Sequence, residues 1–261
     1  MTVFWHEIRL NRMSLLIWSA AVGFLMMVCI FMFPEMQGEM EEVGAMFSSM
    51  GSFTAAFGMD RLNFGEFSGF YGIECGNILG LGGAFFAALT GAAVLSKEEK
   101  EHTADFLLTH PVGRGRIVAG KLAAVAGQLL CLNGIILVLA FVSMQAIGEG
   151  AAWKDLLLLH LAYFLLQLEV GAVCFGLSAF LRRGSYGIGL GLAAVLYFLN
   201  IIANLTEKAR FLKYITPFGY AESADILTNG SIDMGMLLPG LLYGAIGVAA
   251  AFIWYARKDI R

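Results

Sequence analysis

Residues 14–33 read SLLIWSAAVGFLMMVCIFMF, twenty residues without a charge. A helix of that length rises about 30 Å, the thickness of a bilayer's hydrocarbon core. Five further segments repeat the pattern: 75–95, 122–147, 156–181, 184–205 and 236–256. Only 156–181 carries any Asp, Glu, Lys, Arg or His, namely His160 and Glu169. The runs are too long for barrel strands and lack their period-two alternation. The first is also too long for a signal peptide, and no A-x-A-like cleavage site follows it. The expected fold is therefore an all-α membrane protein with six transmembrane helices, a single transmembrane domain over residues 1–261.

Composition agrees. The chain is 59% hydrophobic and 14% charged, against about 45–50% and about 25% for soluble domains. Its mean hydropathy is +0.75. Too few polar side chains remain to cover a water-soluble fold, which argues against a soluble enzyme. Twenty-one Phe exclude disorder. A net charge of −3 argues against a nucleic-acid partner. Cys29, Cys75, Cys131 and Cys174 sit in or beside apolar runs with no CxxC pair. They read as small hydrophobes rather than disulfides or metal ligands.

Six spans put both termini on one side. Of the 17 Lys and Arg, twelve fall on the side of the termini and of the 96–120 connection, and five on the other. The positive-inside rule then makes both termini cytoplasmic.

Three stretches outside the spans are organised. In residues 1–12, Phe4, Trp5 and Ile8 share a helical face, which predicts a short N-terminal interfacial helix. The outer loop, 34–74, holds Met46, Phe47, Met50, Phe53 and Phe57 at helical spacing over 43–57, which predicts a short helix resting on the outer bilayer surface or capping the bundle. The cytoplasmic connection, 96–120, reads KEEKEHTADFLLTHPVGRGRIVAG from Lys97. Thr103 suits an N-cap and Asp105 the positive end of a helix. Phe106, Leu107 and Leu108 then form an apolar patch, and Pro111 ends the helix. Two helical turns with an apolar face and charged flanks need a surface to bury against, either the membrane or another protein.

Other motifs fail on inspection. Gly115 to Lys121 fits G-x-x-x-x-G-K, but residue 122 is Leu, no strand precedes it and a span follows. There is no H-E-x-x-H and no G-x-S-x-G. Gly76/Gly80, Ala172/Gly176 and Gly187/Gly191 are small-xxx-small pairs, suited to close helix approach. Within the spans, Glu169 lies near mid-bilayer and should face the bundle, a cavity or a subunit interface. Gln128 and Asn133 are its expected partners. His160 lies nearer the outer surface and reads as structural. The two are nine residues apart and point in different directions.

The 96–120 stretch resembles the coupling segment of type-two ABC exporter permeases. That family carries an acidic stretch, a "GT-like" turn, a short "LL" helix, "P-V-S-R", and a Lys opening the third span. Here the matching residues are Glu98, Glu99 and Glu101, then His102-Thr103, Leu107-Leu108, Pro111-Val112-Gly113-Arg114 and Gly120-Lys121. His102 stands where Gly is usual and Gly113 where Ser is usual. The six-span layout, the long first outer loop with Gly58–Asp60 and Gly69–Gly72, and Thr216-Pro217-Phe218 extend the resemblance along the chain. It implies a permease subunit without a nucleotide site of its own, with ATP and Mg held by partner ATPases, two per complex. It also implies a second permease copy or a homologue, multi-pass insertion in a bacterial or archaeal plasma membrane, and a coupling helix at 103–110 that docks on the ATPase. Export would use a path between the two permeases. Two other readings stay open, an intramembrane enzyme or a secondary transporter using Glu169 and His160. The first lacks a nucleophile or metal set. The second usually brings more spans or inverted repeats.

Overall fold

The computed structural model describes residues 2–36, 38, 51–59, 61–97, 113–149, 153–181 and 186–257. Every regular element among them is helical: α1 (Thr2–Met36), α2 (Ser52–Ala56), α3 (Phe67–Phe70), α4 (Gly76–Ala92), α5 (Arg114–Ile147), α6 (Trp153–Phe180), α7 (Tyr186–Leu205), α8 (Ser223–Asn229) and α9 (Met234–Arg257). A π-helical turn, Tyr71–Cys75, joins α3 to α4, and a 3₁₀ helix, Glu207–Tyr214, follows α7. Six helices are long and apolar enough to cross a membrane: Val3–Met36, Phe67–Ala92, Arg114–Ile147, Trp153–Phe180, Tyr186–Leu205 and Met234–Arg257.

The helices alternate in direction. Val3 lies over Gly120, Phe4 and Ile8 over Gly127, and Leu139 and Ile136 over Gly23, so α1 and α5 run parallel. Gly76 meets Tyr163 and Gly91 meets Gly171, so α4 and α6 are parallel as well. Gly189 meets Ala88 while Tyr197 reaches Asn77, so α7 runs antiparallel to α4. Both chain ends thus share one end of the bundle, where Arg114 Nη1 donates to the Ala256 carbonyl at 3.2 Å.

Glycines set the tightest seams. A Cβ on Gly91 would come within 2.5 Å of the Gly171 carbonyl oxygen, and one on Gly176 within 2.6 Å of that of Gly247. Small residues let backbones approach where lipid offers no hydrophobic drive to association. The Gly187/Gly191 pair does not serve this purpose within the chain. Gly191 faces open space, and Gly189 between them makes the close approach to α4. The outward faces of α1, α7 and α9 expose Leu16, Ile17, Phe24, Val195, Phe198, Leu238 and Leu242. So much exposed apolar surface suits hydrocarbon rather than water.

Several boundaries differ from the sequence reading. Residues 2–12 form no separate interfacial helix; they are the first turns of α1. The 35 residues of α1 reach about 50 Å, some 20 Å beyond a hydrocarbon core. Their excess length is held against α5 by Val3, Phe4 and Ile8. The second span begins at Phe67 rather than at 75, because Gly69–Gly72 is helical. Of the helix expected over 43–57, only α2, Ser52–Ala56, falls among the described residues, packed beside α7, while Met46, Phe47 and Met50 lie outside them. Pro239 is the sixth residue of α9, past the free N–H groups of the first turn.

Between α7 and α9 the chain turns inward. Residues 216–222 are all buried. Thr216 Oγ1 donates to the Leu196 carbonyl at 2.8 Å, halfway along α7, and Tyr220 reaches Glu169, halfway along α6. Non-helical backbone at this depth is tolerated only where protein surrounds it.

Candidate functional site

At the end bearing the termini, the carboxylate of Glu7 is 1% exposed and meets two ammonium groups. It pairs with Lys97, five residues past the end of α4, and with Lys121 Nζ at 3.2 Å, the eighth residue of α5. Lys121 is also 1% exposed and donates to the Val94 carbonyl at 2.5 Å. Lys97 follows the turn at 93–96, its N–H bonded to the Ala93 carbonyl. Lys97 and Lys121 flank the connection between the second and third spans, and Glu7 joins them to α1. The G-x-x-x-x-G-K run is helical throughout, and its lysine is engaged in this cluster.

Of the residues expected to couple to an ATPase, Glu98, Glu99, Glu101, Thr103, Asp105, Phe106, Leu107, Leu108 and Pro111 lie outside the described residues. Arg114 is described. It opens α5 and bonds to the carbonyls of Tyr255 and Ala256, tying the root of the connection to the end of α9 as well.

Glu169 sits at mid-bundle, but not with the partners expected. Its Oε2 accepts from the Tyr220 hydroxyl at 3.1 Å, and its carboxyl presses on Gly240 of α9, where a Cβ has no room. Asn133 instead donates to Gln167 Oε1 at 2.6 Å, and Gln128 turns back onto the Ala124 carbonyl. The reason is helical phase. Gln167 and Glu169 are two residues apart, about 200° around α6, so one faces α5 and the other α9. Tyr220 lies outside the spans; burial, then the nearby Glu169 carboxylate, hold its phenol well above its ordinary value, so it stays a donor. Glu169 therefore anchors the tip of the inward-turning 216–222 segment. Beside it, a cavity of about 370 Å³ opens between α6, α7 and α9, walled by Val173, Leu177, Phe180, Leu192, Leu196 and Ile246.

His160 is buried, its Nε2 2.8 Å from the Tyr71 hydroxyl. The structure does not bring it to Glu169; nine residues on one helix place them on opposite faces. Among the described residues no group of three His, Cys, Asp or Glu is arranged to hold a metal.

At the other end of the bundle a second buried glutamate, Glu222, collects charge. Its Oε1 takes Arg61 at 2.5 Å and its Oε2 takes Lys213 at 2.7 Å. Asn204 Nδ2 donates to Oε1 at 3.3 Å, and Asp225 pairs with Arg61 and, at 3.5 Å, with Lys213. The first outer loop, the end of α7, the 3₁₀ helix and α8 are joined through one carboxylate. Glu7, Tyr220 and Glu222 were not singled out from the sequence, because their partners lie on other elements.

The six-span helical bundle defines a multi-pass membrane protein. The family model for ABC-2 family transporter protein matches residues 1–260. The chain belongs to that family, a family of membrane transport subunits of ABC transporters. A search of the curated proteins finds no match.

Proposed function

We propose that the chain is the permease subunit of an ABC exporter, coupled through residues 96–120 to ATP hydrolysis on a separate ATPase. The end carrying both termini is the cytoplasmic one, as the twelve-to-five division of Lys and Arg requires. The short helix at 103–110 docks its Phe106, Leu107 and Leu108 face on the ATPase, where ATP and Mg are held. Two ATPases serve two permeases, the second a copy of this chain or a homologue, in a bacterial or archaeal plasma membrane. Closure of the ATPases moves the docked helices and rocks the bundles, exposing the path between them to alternate sides.

The observation that carries this reading is the Glu7 cluster. A displacement of the 98–112 segment reaches the bundle through Lys97 and Lys121, and both are tied to α1 by one buried carboxylate. The residues on either side of the segment are thus joined to each other and to α1 through Glu7. Co-expression of the full chain with a separately encoded ABC ATPase tests the proposal. The ATPase co-purifies in detergent, and its turnover rises in proteoliposomes holding the complex. A chain that moves cargo in proteoliposomes with no ATPase present would contradict it.

A further inference from the structure

The cavity of about 370 Å³ between α6, α7 and α9 has one wall residue out of keeping with the rest. Glu169 lines it, and of the other wall residues only Tyr243 has a polar side chain. Along α6 the wall runs through Glu169, Val173, Leu177 and Phe180, a stripe about 16 Å long with the carboxyl at one end. Gly240, on which the carboxyl presses, lies one turn before Tyr243, the first wall residue of α9, so the same end of the cavity carries the carboxyl on both helices. Its two oxygens differ. Oε2 accepts from Tyr220. Oε1 has no hydrogen-bond partner among the described residues, yet it is not sealed from a water-sized probe as Asn200 Oδ1 is. Glu169 is only 5% exposed overall, so the space that reaches this oxygen is the cavity it lines. Toward its other end the cavity opens on the outward face of the bundle, where Leu177, Phe180 and Ile246 are exposed.

We infer that this cavity is a binding site for a hydrophobic amine, its apolar body along Val173 to Phe180 and its nitrogen on Glu169 Oε1. The volume falls within the roughly 300–1,000 Å³ usual for small-molecule sites. An acceptor left unpaired in an apolar wall keeps its desolvation penalty, and a ligand N–H removes it. Charge and depth disfavour the other classes. A fatty acid would set a second carboxylate against the first. A lipid acyl chain fits the walls but donates nothing. The amine of a phospholipid headgroup does not reach, because Glu169 is the seventeenth of the 28 residues of α6, about 16 Å from that helix's end and near the middle of a hydrocarbon core about 30 Å thick. A metal ion would meet a single carboxylate, with no third ligand arranged among the described residues. An amine crosses hydrocarbon as the free base and takes the proton of the carboxyl: the O–H bond breaks, an N–H bond forms, and the ammonium–carboxylate pair is neutral overall. It thereby escapes the cost of a lone charge at mid-bilayer. The ammonium shares the carboxylate with Tyr220, which puts the ligand's head at the tip of the 216–222 segment.

Photolabelling of the full chain in lipid nanodiscs tests this. Three probes share one alkyl chain bearing a diazirine and end in a primary amine, a hydroxyl or a carboxylate. Peptide mapping reads the label on the stretches of α6 and α9 that wall the cavity. The amine half-saturates there at about ten-fold lower concentration than the alcohol, since a bond between charged groups outweighs a neutral one, and the carboxylate does not saturate. Glu169→Gln keeps an acceptor for Tyr220 and removes the charge, so the amine falls to the level of the alcohol. Leu177→Trp fills the cavity with Glu169 in place and abolishes saturable labelling by the amine. Thermal midpoints report the fold of both variants. Equal labelling by amine and alcohol in the unmodified chain would show a plain acyl-chain groove and overturn the inference. So would unchanged amine labelling in either folded variant. Where a variant fails to fold, the comparison of the three probes on the unmodified chain decides. The readout is binding with no ATPase present, so its failure leaves the permease reading intact.

Discussion

The two ends of the bundle solve a similar problem in different ways. Each buries one glutamate and brings cations to it from distant parts of the chain. At the end bearing both termini Glu7 holds Lys97 and Lys121, the two flanks of a single connection. At the opposite end Glu222 holds Arg61 from the loop before α3 and Lys213 from the 3₁₀ helix, and Asp225 stands by as a second carboxylate. The Glu222 network can lose a member and still pair its charges. The Glu7 cluster, among the described residues, has a single carboxylate. A redundant network staples loops; a cluster with one hub makes its members move together.

That contrast is broken most directly at Glu7. Glu7→Ala takes the carboxylate from the buried Lys121 ammonium and costs about 3–5 kcal/mol, read as a loss in thermal midpoint. Replacing the hub and its most buried partner together, Glu7→Leu with Lys121→Met, recovers most of that loss, since buried pairs often give way to apolar residues of similar volume. The recovered variant still lacks the link between α1 and the 98–112 segment, so its ATPase turnover in the complex stays low. Glu222→Ala is milder, at about 2–3 kcal/mol, because Lys213 keeps Asp225 nearby. A Glu222 loss as large as that of Glu7 would remove the distinction between the ends.

Smaller effects sharpen the picture between them. Tyr220→Phe takes the donor from Glu169 and costs about 1–2 kcal/mol, visible as faster proteolysis of the 216–222 segment. Arg61→Ala costs only about 0–1 kcal/mol in the same thermal assay, since its side chain is 40% exposed. Both substitutions leave the Glu7 cluster, and hence ATPase association, unchanged.

How much of this was legible in the sequence follows the range of the interactions. The six spans declare themselves locally, as long runs such as 14–33 and 122–147 with no charge. The continuity of α1 does not, because Arg9, Asn11 and Arg12 read as the edge of a span although a helix continues past the bilayer. Glu7 is one acidic residue in a basic segment, and its partners are 90 and 114 positions away. Glu169 stood out because a carboxyl amid 26 apolar positions is costly. Its partner was misread by choosing amides on a neighbouring span; counting 100° per residue would have turned Gln167, not Glu169, toward Asn133. The inward path of 216–222 has no local signature beyond Thr216-Pro217-Phe218, since Pro and Gly mark a turn without saying which way it goes.

The central claim is that the apolar face within residues 98–112 is the handle by which an ATPase moves this permease. Co-purification of the ATPase with the chain carrying Leu107→Glu and Leu108→Glu measures it most directly. The account predicts that the doubly substituted chain inserts in the membrane normally and no longer retains the ATPase. Retention equal to that of the unmodified chain would contradict it.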